Sequence, residues 1–327
     1  MERNDAFGTI DPIGAAFRAA LECGDLDAIR KVPKADLHTH AFLGGRLSRY
    51  RAWAGLDLPD PPELFEDFSD FDKYILVDLA VPYLNLDLRR TRDFFAFFFA
   101  ETIREAITDG VVVIEPSIDV TTVDLFAGDS GAMVDFFSRL IPENAHIEVR
   151  PELGMPRGIP LEYIEAKVPS LLKTGFFRSV DLYGDERVGG VAEYAGIWRK
   201  AGELGLRKKA HAGELCSAGR VKESVVTLDL DAVQHGIAAA ESPALMDFLA
   251  RRGTTLNVCP TSNVRLARAE SIETHPVRKL FDAGVRVTIN SDDLMVFDSS
   301  VSEEFLKLKK ASVFTAEELD RIRLNGL

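Results

Sequence analysis

Short apolar runs that end in polar residues recur eight times along the chain. They are "KADLHTH" (34–40), "VVVIEPSID" (111–119), "HIEVRPELG" (146–154), "FRSVDLYGD" (177–185), "RKKAHAGE" (207–214), "DAVQHG" (231–236), "TTLNVCP" (254–260) and "RVTINSDD" (286–293). In the last, Val285, Val287 and Ile289 alternate with Arg286, Thr288 and Asn290 before Ser291, Asp292 and Asp293. Helical stretches such as "VAEYAGIWRKAGELG" and "SPALMDFLARRG" lie between the runs. Several end in Gly just before the next run, at Gly110, Gly205, Gly253 and Gly284, as expected of a residue that tolerates positive φ past a helix end. Strand–helix alternation predicts a parallel α/β fold, and eight strands predict a closed (β/α)8 TIM barrel. An open doubly wound sheet is the alternative, but no GxGxxG follows the first run. Residues 1–30 read as an N-terminal helical extension. Residues 41–110 are too long for a βα connection and read as a helical lid insertion. The whole of 1–327 is thus read as a single domain.

Composition narrows the class. The chain has 327 residues, 46% hydrophobic and 28% charged, enough to bury a core without disulfides or structural metals. Its net charge of −13 repels a nucleic-acid backbone, so a polynucleotide partner is not expected. Cys23, Cys216 and Cys259 are odd in number and widely spaced, which fits a reducing cytoplasm and no zinc knuckle. The N-terminus "MERNDAFGTIDPIG" lacks a signal-peptide core. The richest apolar stretch, "DFFAFFFAETIREAI", is too short and too charged to span a bilayer and reads as a buried amphipathic helix. No feature of the pattern specifies an oligomeric state.

The candidate chemistry sits at strand ends, where a barrel of this kind places active-site groups. His38 and His40 end the first run, His211 the fifth and His235 the sixth. His146 starts a strand and His275 opens a helix, so both read as structural. His38 and His40 are two apart on a strand and point to one face. With His211 and Asp292, which shares the inward parity of Thr288 and Asn290, they form a nitrogen and oxygen set suited to zinc with a position left for water. Glu214, just past His211, is a candidate general acid or base. His235 is a candidate to orient or deprotonate the attacking water. One aspartate of the "SDD" pair then closes the metal set, leaving Asp293 free for another task nearby.

"PKADLHTH", "DLYGDE", "HAGE", "QHG", "VCPTSN" and "INSDD" stand in the order and spacing found in the adenosine deaminase family of metal-dependent hydrolases, and the chain resembles that family from about Lys31 to its end. The resemblance implies hydrolytic deamination of a 6-aminopurine nucleoside, with ammonia released. It implies one zinc ion per chain on His38, His40, His211 and Asp292. Glu214 would protonate the purine N1, and His235 would align and deprotonate the attacking water. Asp293 would bind N7, and the backbone of Gly184 would contact N3. On the fourth strand Asp181 stands where two-metal relatives use a bridging lysine, which favours a single metal. The P-C-x-x-C signature of the other zinc deaminase class is absent.

The match departs from the family in places. Members usually carry H-x-H-L-acid-G after the first strand, where the acid contacts the ribose 5′-hydroxyl. Here His40 is followed by Ala41, Phe42, Leu43, Gly44 and Gly45, with no acid. Arg46, Arg49 and Arg51 come next; they read first as a solvated basic helix face, though cations there would suit a phosphate or carboxylate on the substrate. In the second run Glu115 remains of an acid–arginine pair, "SDDLMVF" replaces the commoner "DDP", and relatives continue a few residues beyond "RLNGL". Alternative substrates are therefore adenine, a phosphate- or carboxylate-bearing adenosine derivative, or another aminated heterocycle. A catalytically silent purine-binding protein is the alternative of another class, against which intact Glu214, His235 and Asp293 argue.

Overall fold

The computed structural model describes residues 11–84, 88–143 and 146–327. Eight parallel strands form a nearly closed barrel surrounded by helices: β1 (Lys34–His40), β2 (Val111–Asp119), β3 (Glu152–Pro156), β4 (Ser179–Tyr183), β5 (Arg207–Ala212), β6 (Ala232–His235), β7 (Thr255–Val258) and β8 (Arg286–Ile289). Each pairs in parallel with the next in chain order. The (β/α)8 TIM barrel expected from the run pattern is the fold found. Such strands are covered on both faces, which is why they read as nearly continuous apolar runs.

Two boundaries differ from the pattern. The third run, 146–154, does not form one strand. Glu148–Val149 pairs briefly beside β2, and β3 begins at Glu152. Pro151 lies between them and has no N–H to give to a ladder. His146 is exposed and precedes the short pairing rather than starting a barrel strand. The last run stops pairing as a strand at Ile289. Asp292 adopts φ +59°, so it reaches the interior through a left-handed turn and not by strand parity.

That turn also closes the barrel. Asp292 N–H donates to His38 O at 2.9 Å, and Thr39 bridges Asp292 in parallel fashion. Leu37 N–H donates to Asn290 Oδ1 at 2.9 Å, and Ser291 Oγ donates to Asp36 Oδ2 at 2.5 Å. Deeper in the barrel, Lys209 Nζ lies 2.5 Å from Glu115 Oε2 and 2.6 Å from Glu152 Oε2. All three are buried, so the charges compensate one another, as a buried ammonium requires.

The helices Pro12–Cys23 and Leu26–Arg30 precede β1. Phe17 meets Phe305 edge-to-face at 5.3 Å, and Arg18 pairs with Asp320 at 2.5 Å. Residues 1–10 of the expected extension lie outside the described residues. Between β1 and β2 run the helices Leu47–Ala54, Phe68–Lys73, Val81–Leu84 and Leu88–Thr108, with a π-helical stretch at Tyr74–Ala80. The Phe-rich stretch 93–107 lies within the Leu88–Thr108 helix. Its Phe94 and Phe98 join Tyr50, Phe65, Phe71 and Phe297 in a second apolar cluster, above the barrel core. Among the described residues no helix is long and apolar enough to cross a membrane.

Candidate active site

The C-terminal ends of β1 and β5 bring three imidazoles together, with His38 edge-on to His40 and His211. His38 Nε2 lies 3.1 Å from His211 Nε2. Asp292 Oδ1 lies 3.5 Å from His38 Nε2 and 3.7 Å from His40 Nε2. Ligand atoms of His38, His40 and His211 all fall within 4.8 Å of one another. Two other contacts orient the rings. His38 Nδ1 sits 3.1 Å from the carbonyl of Asn257, which accepts its N–H and leaves Nε2 with a lone pair. His211 Nδ1 sits 2.9 Å from Asp181 Oδ2, off the ideal hydrogen-bond direction but close enough to orient the ring. Both outer contacts are of the kind that orient metal ligands.

The electrostatics suit a cation. Burial, then the neighbouring histidines, hold His38 well below its ordinary pKa, and burial does the same to His211. Neutral imidazoles present lone pairs, and two lone pairs 3.1 Å apart repel unless positive charge lies between them. Burial, then Asp293, pushes the Asp292 carboxyl up to about 8, a shift that a bound cation would reverse. The donor set of three nitrogens and one carboxylate thus fits zinc.

Glu214 and His235 lie beside these ligands. His235 Nε2 is 3.4 Å from Glu214 Oε2 and 3.9 Å from Asp292 Oδ2. Asn263 Nδ2 faces His235 Nδ1 at 3.1 Å and fixes the ring plane. Burial, then Asp292, then Glu186, raises the Glu214 carboxyl well above its ordinary range, which favours its protonated form. Burial lowers His235 well below its usual value, so it is a neutral base. Asp293 is also buried, its Oδ1 has no hydrogen-bond partner, and burial pushes its carboxyl up to about 8.

His40, His211, Glu214, His235, Asp292 and Asp293 line a cavity of about 720 Å³. Gly184, at φ +88°, turns the chain at the cavity wall. The structure thus brings all eight expected site residues into one place. It also adds groups that sequence reasoning passed over. Tyr183 lines the cavity, packs against His40 with ring centroids 5.1 Å apart, and donates its hydroxyl to Asp119. Its position two residues past Asp181, on the same face of β4, was the available signal. Asn263 lay within the quoted "VCPTSN" but had no stated role.

The three arginines after Gly45 do not serve the cavity. Arg46 pairs with Asp298 at 2.5 Å and Glu303 at 3.0 Å. Arg49 pairs with Glu101 at 3.2 Å, and Arg51 with Asp60 at 2.8 Å. None is among the cavity-lining residues, whose guanidinium is that of Arg157. A cationic subsite for a phosphate or carboxylate is therefore not formed by them. Glu101 and Asp60 come from the insertion, and Asp298 and Glu303 from the segment after β8, which the local sequence does not show.

Comparison with known proteins places the chain in a family. The sequence model of the adenosine deaminase family matches residues 162–327. A Treponema pallidum protein provisionally named adenosine/adenine deaminase is 33% identical over 308 residues, which is 91% of this chain and 99% of that protein. An adenine deaminase of Rhizobium rhizogenes is 30% identical over 303 residues, 88% of this chain and 91% of that one. Among solved structures, an adenine deaminase of Arthrobacter aurescens superposes with a TM-score of 0.75 at 22% identity, covering 90% of this chain and 92% of that one. An amidohydrolase of Burkholderia ambifaria with bound zinc gives 0.74 at 22% identity, covering 95% and 87%.

Proposed function

The chain belongs to the adenosine deaminase family, whose members are hydrolytic aminohydrolases, and from that premise we propose that it deaminates the free base adenine. The observation that carries this reading is the apolar wall after β1. Ala41 is fully buried, Phe42 packs on Phe95 with centroids 4.4 Å apart, and Phe42 and Leu43 line the cavity. A ribose hydroxyl against this wall would lose its water without gaining the carboxylate that relatives supply, which costs on the order of 1–3 kcal/mol. Relatives named adenine deaminase support the same choice. The nucleoside expected from the family resemblance becomes the second reading. A nucleotide is disfavoured by the engagement of Arg46, Arg49 and Arg51 elsewhere.

His38, His40, His211 and Asp292 would hold one zinc ion, which when bound supplies an acidified water, with a pKa of about 7. The protein's own groups do the rest. Purine N1, N3 and N7 are all acceptors, and each meets a donor. Glu214, whose burial favours the protonated form, delivers its proton to N1. The Gly184 N–H faces N3, and protonated Asp293 donates to N7. Protonating N1 withdraws electrons from C6 as water adds there. His235 takes the water's proton and passes it to the amino group, and the tetrahedral C6 expels ammonia as its hydroxyl becomes the carbonyl and gives its proton back to Glu214. Buried Phe94 and Phe98, beside the cavity, help to exclude other water.

An ammonia-release panel of adenine, adenosine and AMP tests this reading. Adenine should exceed adenosine in kcat/KM by about 10²-fold, the scale of one unmet polar group in a buried site. A higher kcat/KM for adenosine would overturn the free-base assignment, and none for any aminopurine would favour the silent purine-binding alternative.

A further inference from the structure

Glu186 stands just past β4 and has no part in the steps above, yet its carboxylate is fully buried. Oε2 accepts the N–H of Gly213 at 2.7 Å, and Oε1 accepts those of Glu214 at 2.8 Å and Leu215 at 3.0 Å. Three successive peptide N–H groups thus converge on one anion. The left-handed turn that allows this is at Gly213, with φ +77°, where an added Cβ would come within 2.2 Å of Val221 Cγ2. At the other end of the segment, buried Arg157 donates from Nη2 to the carbonyl of His211 at 3.1 Å. Residues 211–215 carry both His211 and Glu214. They are clamped from two sides by groups at the ends of β3 and β4.

Glu214 depends on that clamp because its own side chain is little held. Its Oε1 has no hydrogen-bond partner, and its Oε2 has the 3.4 Å approach to His235. Where the carboxyl points is therefore set by the backbone beneath it. We infer that Glu186 is a positioning residue for the catalytic acid: it holds the turn from which Glu214 delivers its proton to the purine. This rests on the reading of Glu214 as that acid. A carboxylate here does what an amide cannot. Gln offers one acceptor oxygen for three donors, and its NH₂ would confront the N–H groups it replaces.

The test is a double-mutant cycle on the zinc-loaded enzyme with adenine, using E186Q, E214Q and the double variant. E186Q should lower kcat on the order of 10²-fold, the cost of a misplaced catalytic group, with KM changed less than about threefold. Its zinc content should match wild type. In the E214Q background the same substitution should cost less than about threefold, because the acid it positions is already gone. General damage to the fold would instead multiply the losses. A kcat for E186Q within about threefold of wild type, equal losses in both backgrounds, or lost zinc would each overturn the positioning role. If E214Q alone keeps more than about a tenth of wild-type kcat, the acid assignment itself fails and the positioning role falls with it. Should E186Q not fold, E186D takes its place: it keeps the charge but is one methylene too short for all three donors. The same non-additive pattern is expected, with a smaller loss.

Discussion

At the residue scale, the two aspartates of "SDD" divide their work by where the backbone aims them. Asp292 turns inward at φ +59°, a conformation that Asn also tolerates. Asp292→Asn should therefore leave the turn intact and lose zinc occupancy, since a neutral amide is a poor ligand. Asp293→Asn should retain the zinc and weaken discrimination between adenine and its N7-deaza analogue. Metal content and kcat/KM of both variants check this, and equal zinc loss in the two would refute the division. His235 has a left-handed φ of +60°, so His235→Asn likewise keeps the backbone. It should keep zinc while kcat falls on the order of 10²–10⁴-fold, the usual worth of a positioned base.

At the element scale, the barrel's seam and its active site are one structure. The segment after β8 joins β1 through Asn290, Ser291 and Asp292, so the strand pair that completes the barrel also delivers a metal ligand. Ser291→Ala would remove the hydroxyl on Asp36, whose carboxyl burial already pushes up to about 7. That should destabilise the fold by about 1–3 kcal/mol, the cost of a buried group left short of a partner. Chemical denaturation measures it, with zinc affinity expected to fall in parallel. A loss of stability with zinc affinity unchanged would show that seam and site are uncoupled.

At the scale of the whole molecule, burying these acids makes metal-free stability depend on pH. Asp292 and Asp293 stand near 8 in the folded state, against about 3.9 unfolded. The folded state therefore binds more protons up to about pH 8, and stability falls as pH rises. Buried His38, His211 and His235, all lowered, act in the opposite sense, but only below the unfolded value of about 6.5. Between pH 7 and 8 the carboxyl contribution stands almost alone, since Lys34, lowered to about 8, opposes it mainly above that pH. Denaturation of the metal-free protein should show falling stability across this interval. Zinc-loaded protein should fall less, because the metal holds Asp292 ionised in the fold. A rise with pH in the metal-free protein would contradict the burial of these acids.

Much of this was legible in the chain because it is local. Eight apolar runs with Gly-ended helices between them sufficed for the barrel, since buried parallel strands leave that pattern. Its rule that chemistry sits at strand ends then drew His38, His40, His211 and His235 together. The boundaries were harder. Pro151 broke a run that hydrophobicity alone carried through, and Asp292 arrived by a turn whose positive φ no periodicity reports. What only the tertiary structure decided is where charges meet partners distant in sequence. Arg46, Arg49 and Arg51 looked available for a phosphate until Asp298, Glu303, Glu101 and Asp60 were brought against them. Glu186 gave no sign of holding residues 213–215, which it meets only because β4 and β5 lie side by side. Side-chain periodicity is a property of neighbours along the chain. Ion pairing and backbone clamping are properties of neighbours in space, and those exist only once the barrel has closed.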